Sequence, residues 1–251
     1  MSRMLEGGCF VTGLREGVPR RQGTLQIWNL VGRDTGAVAI SLRALEMAPG
    51  VSPAWSNPDC DEILYVMSGS ATIFLDGRPF EVVAGTGAHL APGVSFSARV
   101  AGPAPLVMVS SRCPEPGEQD APPAHAVETV GRSAAGATTP IVRLADREAC
   151  PTGDRWYRVL VDRDVGCLTA TQFVGSIPPG RAPDHHHHYE EVLCILRGSG
   201  RMWAGAQSAP IEEGSCIFLP RGQSHCVENT GGSELWLLGV FHPAGSPAVR
   251  Y

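Results

Sequence analysis

The stretch Gly180–Gly198, read as G-RAPD-HHHH-YEE-VLCILR-G, puts four consecutive histidines between Asp184 and the acidic pair Glu190–Glu191. The VLCIL that follows is a short unbroken apolar run, the pattern of a fully buried strand. In an extended chain alternate side chains share a face. His185, His187 and Glu191 have the same parity, so one strand or a tight hairpin end can point all three inward. His186 and His188 then face the other way, and a one-residue bulge would exchange the two sets. Neutral imidazoles with a carboxylate make a mixed nitrogen and oxygen donor set suited to a divalent transition metal.

A further ligand is placed downstream in Gly214-SCIFL-Pro220-Arg221-Gly222-QS-His225-CVE-Asn229. CIFL reads as a strand and Pro220-Arg221-Gly222 as a tight turn, after which a second strand carries His225 back alongside the first segment. A mid-chain position followed by a matched strand separates the histidine run from a purification-tag remnant. Together the two stretches resemble the paired motifs of the cupin superfamily, G-x5-HxH-x3,4-E-x6-G and G-x5-PxG-x2-H-x3-N. The second matches at Gly214, Pro220, Gly222, His225 and Asn229. The first matches at Gly180, His185, His187, Glu191 and Gly198, with one residue fewer between Gly180 and His185 than is usual. The resemblance implies that His185, His187, Glu191 and His225 hold one divalent transition metal, with Fe or Mn favoured over Ni, Co or Zn. It also implies an all-β chain of two tandem double-stranded β-helix (jelly-roll) barrels, and a homodimer.

Composition agrees with a β-rich, turn-rich chain. Among 251 residues there are 30 Gly and 21 Pro, charged residues make up 18%, and no long segment carries a 3.6-residue apolar period. A formal net charge of -5 without Lys/Arg runs argues against nucleic acid and against an anionic membrane surface as partners. No apolar run reaches the roughly 18 residues needed to span a bilayer. The opening MSRMLEGGCFVTG lacks a signal-peptide core, which predicts a cytoplasmic chain. The eight cysteines form no CxxC pair and are expected to be reduced, with Cys194 and Cys216 in the core and Cys226 facing away from the metal.

The first half repeats the layout of the second. Glu62-ILYVMS-Gly69 matches Glu191-VLCILR-Gly198 at an offset of 129 (191 − 62), with Pro49-Gly50 and Pro92 keeping nearly the same distance from Pro179-Gly180 and Pro220. A constant offset is the mark of internal duplication. The expected organisation is a degenerate barrel with an N-terminal arm over 1–112, a linker over 113–140 and a metal-binding barrel over 141–251. At that offset Ser56 and Pro58 stand for His185 and His187, Ser97 for His225, and only Glu62 survives. His89 is expected to be a satisfied structural residue, as is His125 in the Pro- and Ala-rich linker. Trp203, Trp236, Phe218 and Phe241 are expected in the core or an interface.

Three neutral imidazoles and one carboxylate around a divalent ion leave a formal charge of +1, which favours a small anionic substrate. The resemblance admits two chemistries. The first is an oxidoreductase, dioxygenase-like, on a redox metal; the alternative is Lewis-acid chemistry as in cupin isomerases, lyases, decarboxylases and aminohydrolases. The degenerate-first layout is also similar to bicupins that hydrolyse ureidoglycine, but the ligand pattern departs from theirs. A non-catalytic ligand-binding cupin is the third reading. Glu190 is expected at the surface or behind the ligands, and Arg197 and Arg201 are candidate anchors for an anion.

Overall fold

The computed structural model describes residues 2–116 and 139–248. Among these there is no α-helix. Four 3-10 turns interrupt antiparallel strands, which form an eight-stranded sheet, a seven-stranded sheet and two of four strands. Each barrel is one large sheet facing one small one, a jelly roll, and the sequence-based expectation of two such barrels holds. The linker expected over 113–140, His125 included, lies mostly outside the described residues.

The small sheet of the first barrel is Gly50–Val51, Phe96–Val100, Ser70–Leu75 and Arg78–Val83. That of the second is Gly180–Arg181, His225–Asn229, Ser199–Ala204 and Gln207–Glu212. The large sheets are built partly by exchange. The arm strand Phe10–Gly13 pairs with Ser215–Leu219 of the second barrel, while Ile141–Arg143 pairs with Thr86–Leu90 of the first. Each large sheet thus has an edge covered by a strand lying nearest in sequence to the other barrel, which protects that edge from unwanted pairing.

Side-chain alternation explains the unbroken apolar run. In Glu190–Arg197, Leu193 and Ile195 point into their own barrel, where they pack with Met202, Ile217 and Leu237. Val192 and Cys194 point the other way, into a core shared by both barrels with Ile63, Tyr65, Val109, Phe218 and Val240. Asp61–Ser68 repeats this, Leu64 and Val66 lining the first barrel while Ile63 and Tyr65 face the second. The two large sheets therefore pack face to face, and a strand buried on both faces has no polar alternation to show. Cys194 and Cys216 lie in that shared core as expected, and Phe218 with them.

Candidate metal centre

Parity sends Glu191 into the second barrel with Leu193 and Ile195, at the end of the strand nearest the histidines. Before it the chain is not a regular strand. His185 forms one antiparallel bridge with His225, through hydrogen bonds from His185 N to His225 O (3.0 Å) and from His225 N to His185 O (2.8 Å). The turn at Pro220–Gly222 is pinned to the same segment by Gly222 N donating to His187 O at 2.8 Å; Gly222 takes the left-handed conformation there, φ 79°. Three imidazoles converge as a result. Ring centroids lie 4.9 Å apart for His185 and His187, 4.5 Å for His185 and His225, and 5.0 Å for His187 and His225. One ring nitrogen from each lies within 4.8 Å of the others, and Glu191 Oε2 stands 3.3 Å from His187 Nε2. His186 and His188 pair with each other outside this group, their centroids 5.4 Å apart.

Hydrogen bonding orients the donors. His225 Nδ1 lies 2.8 Å from Gln223 O and His185 Nδ1 lies 3.2 Å from Pro183 O. A carbonyl only accepts, so each Nδ1 carries the proton and each Nε2 keeps its lone pair. Burial pushes the His225 imidazole down to about 4, helped by the neighbouring His185, so it stays neutral. Burial pushes the Glu191 carboxyl up to about 8. His187 stacks on Tyr189 (4.6 Å, 8°), and Tyr189 on Phe241 (4.5 Å, 19°), which fixes the imidazole plane. Imidazole nitrogens beside a carboxyl group whose charge burial disfavours fit a divalent cation, which would supply the missing positive charge.

The group opens on a cavity of about 110 Å³. Arg155, Trp156, Tyr157, Phe173 and Tyr189 line it among others. That is room for several waters or one small organic molecule, well below the ~300–1,000 Å³ of drug-sized pockets. None of Arg155, Tyr189 or Phe173 was legible as a site residue: RWYRVLVD, which holds Arg155, reads only as a strand, and nothing local marks Phe173 or Tyr189 as facing a cavity.

Other expectations need correction. Arg197 and Arg201 do not line this cavity: Arg197 lies over Trp236 and Arg201 over Trp203, with Arg201 donating to Ser208 Oγ. Glu190 is neither at the surface nor behind the ligands. Its parity turns it to the first barrel, where Val38 N and Ala39 N donate to its carboxylate at 3.1 and 2.8 Å. The opposite face of the strand is another protein surface, not water.

The first barrel also differs from the offset reading. Its counterpart of the His185–His225 bridge is Trp55–Phe96, so Trp55 and Asn57, not Ser56 and Pro58, take the places of His185 and His187, and Phe96, not Ser97, that of His225. One residue more stands between Asn57 and Glu62 than between His187 and Glu191, which shifts the frame. Glu62 survives with a new role. It accepts from Arg43 Nη2 (2.5 Å), Trp55 Nε1 (3.0 Å), Ser110 Oγ and Asn57 Nδ2. A guanidinium borne by the chain supplies the positive charge there. By strand register Arg43 and Ser110 correspond to Phe173 and Gly239 of the second barrel. A Cβ at Gly239 would fall 2.4 Å from Phe173 Cε1 and 3.1 Å from Glu191 Oε1, so glycine keeps this space clear.

Comparison with known proteins bears on the fold. Residues 173–241 match the family described as "Cupin domain". The oxalate-binding protein of Thermotoga maritima is 36% identical over 67 residues, 26% of this chain and 55% of that protein. Auxin-binding protein 1 of Arabidopsis thaliana is 32% identical over 72 residues, 25% of this chain and 36% of that protein. The matched segment thus spans about half of the first relative's length and less of the second's. A solved structure of a Bacillus subtilis oxalate decarboxylase variant superposes with a TM-score of 0.75 at 14% identity, covering 94% of this chain and 78% of that one. The local match shows a cupin domain in the second barrel, and the superposition shows that the two-barrel fold extends over 94% of the chain.

Proposed function

We propose that His185, His187, Glu191 and His225 hold one divalent transition metal, and that the second barrel uses it to act on a small carboxylate without net oxidation, as a lyase of the decarboxylase type. The convergence of three imidazoles and a buried carboxyl group on a small cavity is the observation that carries this reading. Sequence reasoning put oxygen-dependent chemistry first; the relatives favour its alternative. One is named for binding oxalate, the structural neighbours are oxalate decarboxylases, and one of those structures is described by its Mn(II) centres. Manganese is accordingly the favoured ion.

When bound, the ion would supply a Lewis acid that binds and polarises a carboxylate oxygen. The chain's residues do the rest. The donor set leaves the site at +1, attractive to an anion, and Arg155 at the cavity wall adds a planar donor matched to a second carboxylate. Trp156 and Phe173 narrow the cavity and exclude water.

The experiment is an anaerobic and aerobic assay of Mn²⁺-loaded protein against oxalate and other small mono- and dicarboxylates, following CO₂ release and O₂ uptake. CO₂ release without stoichiometric O₂ uptake is expected. Stoichiometric O₂ consumption would restore the oxygenase reading, and saturable binding without turnover would make the chain a ligand-binding cupin.

A further inference from the structure

A second group of ligand-type side chains lies where the barrels meet, away from the three histidines. Asp61 and His89 come from the first barrel and Cys167 from the loop after Arg163–Val165 in the second. One ligand atom from each lies within 4.8 Å of the others. All three are buried, with Cys167 0%, His89 5% and Asp61 8% exposed. His89 Nε2 stands 2.6 Å from Asp61 Oδ1, and Thr169 Oγ1 donates to Asp61 Oδ2 at 2.7 Å while lying 3.8 Å from Cys167 Sγ.

The duplication supplies an internal control. Across the pseudo-symmetric interface Asp61 corresponds to Glu190, His89 to Phe218 and Cys167 to Ala37. At that corner the carboxylate is satisfied by the Val38 and Ala39 amides and its neighbours are apolar. The fold therefore closes this interface with phenylalanine and alanine. At the other corner the same two positions carry an imidazole and a thiol, both turned toward one carboxylate.

We propose that Asp61, His89 and Cys167 form a second metal site, for zinc or a similar thiophilic divalent ion, clamping the two barrels together. A thiolate, an imidazole and a carboxylate suit zinc, and the three with Zn²⁺ sum to zero charge, as a buried site requires. With Zn–S about 2.3 Å and Zn–N and Zn–O about 2.0–2.2 Å, ligands around a tetrahedral ion stand about 3.3–3.6 Å apart, so His89 and Asp61 need separate by under ~1 Å. Binding displaces the thiol proton and the proton between His89 and Asp61. Thr169 holds the other carboxylate oxygen in place, the usual job of a hydrogen-bond partner behind a ligand. Gly166 and Leu168, flanking Cys167, are exposed, so the site lies one residue beneath the surface.

Cobalt(II) tests it, because only thiolate ligation gives an intense near-ultraviolet sulfur-to-cobalt band. The titration is run on the full chain in two backgrounds, a His185/His187/His225→Ala variant and Mn²⁺-saturated wild type. The expected result is one equivalent of Co²⁺ bound with the sulfur band, displaced by Zn²⁺, and loss of that band in Cys167→Ser or His89→Phe. No band in either background, or a band that survives Cys167→Ser, would overturn the proposal.

Discussion

Glu62 and Glu191 are the same residue in two copies of one barrel, and their neighbours decide what each does. Around Glu62 the chain brings Arg43, Trp55, Asn57 and Ser110. Removing one partner of a buried ion pair leaves the other charged and unpaired, at a cost of ~3–5 kcal/mol. Glu62→Gln should therefore lower unfolding free energy by about that much in urea denaturation while metal content of the second barrel stays unchanged. A loss of metal with unaltered stability would contradict the assignment. In the second barrel Gly239 keeps the counterpart of the Ser110 position empty. Gly239→Ser should crowd Phe173 and Glu191 and lower metal affinity at least tenfold, measured by isothermal titration, whereas equal affinity would mean that the cleared space is not needed. Arg155→Gln should raise KM for a small dicarboxylate about tenfold, the worth of one charge-assisted contact of ~1.5 kcal/mol, with metal content intact. The meeting of His185, His187, Glu191 and His225 could be expected from the sequence because motif spacing is local to two segments. Arg155 and the Asp61–His89–Cys167 group could not, since they meet only when strands distant in sequence are laid side by side.

At the scale of elements, the alternation along Glu190–Arg197 and Asp61–Ser68 sets the architecture. One parity fills a barrel and the other fills the seam between barrels. The unbroken apolar runs announced burial on both faces but not what covered the second face, and so Glu190 was misplaced. The arm was similarly opaque: nothing local in MSRMLEGGCFVTG says that Phe10–Gly13 adds to the far barrel's sheet. Phe10 is buried there against Phe218, ring centroids 5.7 Å apart. Phe10→Ala should cost ~3–5 kcal/mol, and deleting the arm should also bare the edge of Ser215–Leu219 and promote association, readable by light scattering. An arm deletion that stays as stable and as monodisperse as the parent would show that the strand is an ornament.

At the scale of the molecule, duplication has left one barrel with a charge supplied by its own arginine and the other with a cavity and a candidate cation site. The first barrel lends its partner a covered face, the Val38 and Ala39 amides and a strand, and receives Ile141–Arg143 in return. The two-barrel plan could be read from the constant offset, but the frame shift beside Glu62 hid which residues had replaced the ligands. Among the described residues no helix is long and apolar enough to cross a membrane. On the function proposed above, the second barrel's three histidines and Glu191 bind one divalent ion while the first barrel binds none in the matching place. The most direct measurement is a Mn²⁺ titration, read by electron paramagnetic resonance, of untagged protein never exposed to nickel. One equivalent of bound Mn²⁺ in the parent and in Cys167→Ser, and none in His187→Ala/His225→Ala, is the predicted result. Undiminished Mn²⁺ binding in that double variant would contradict it.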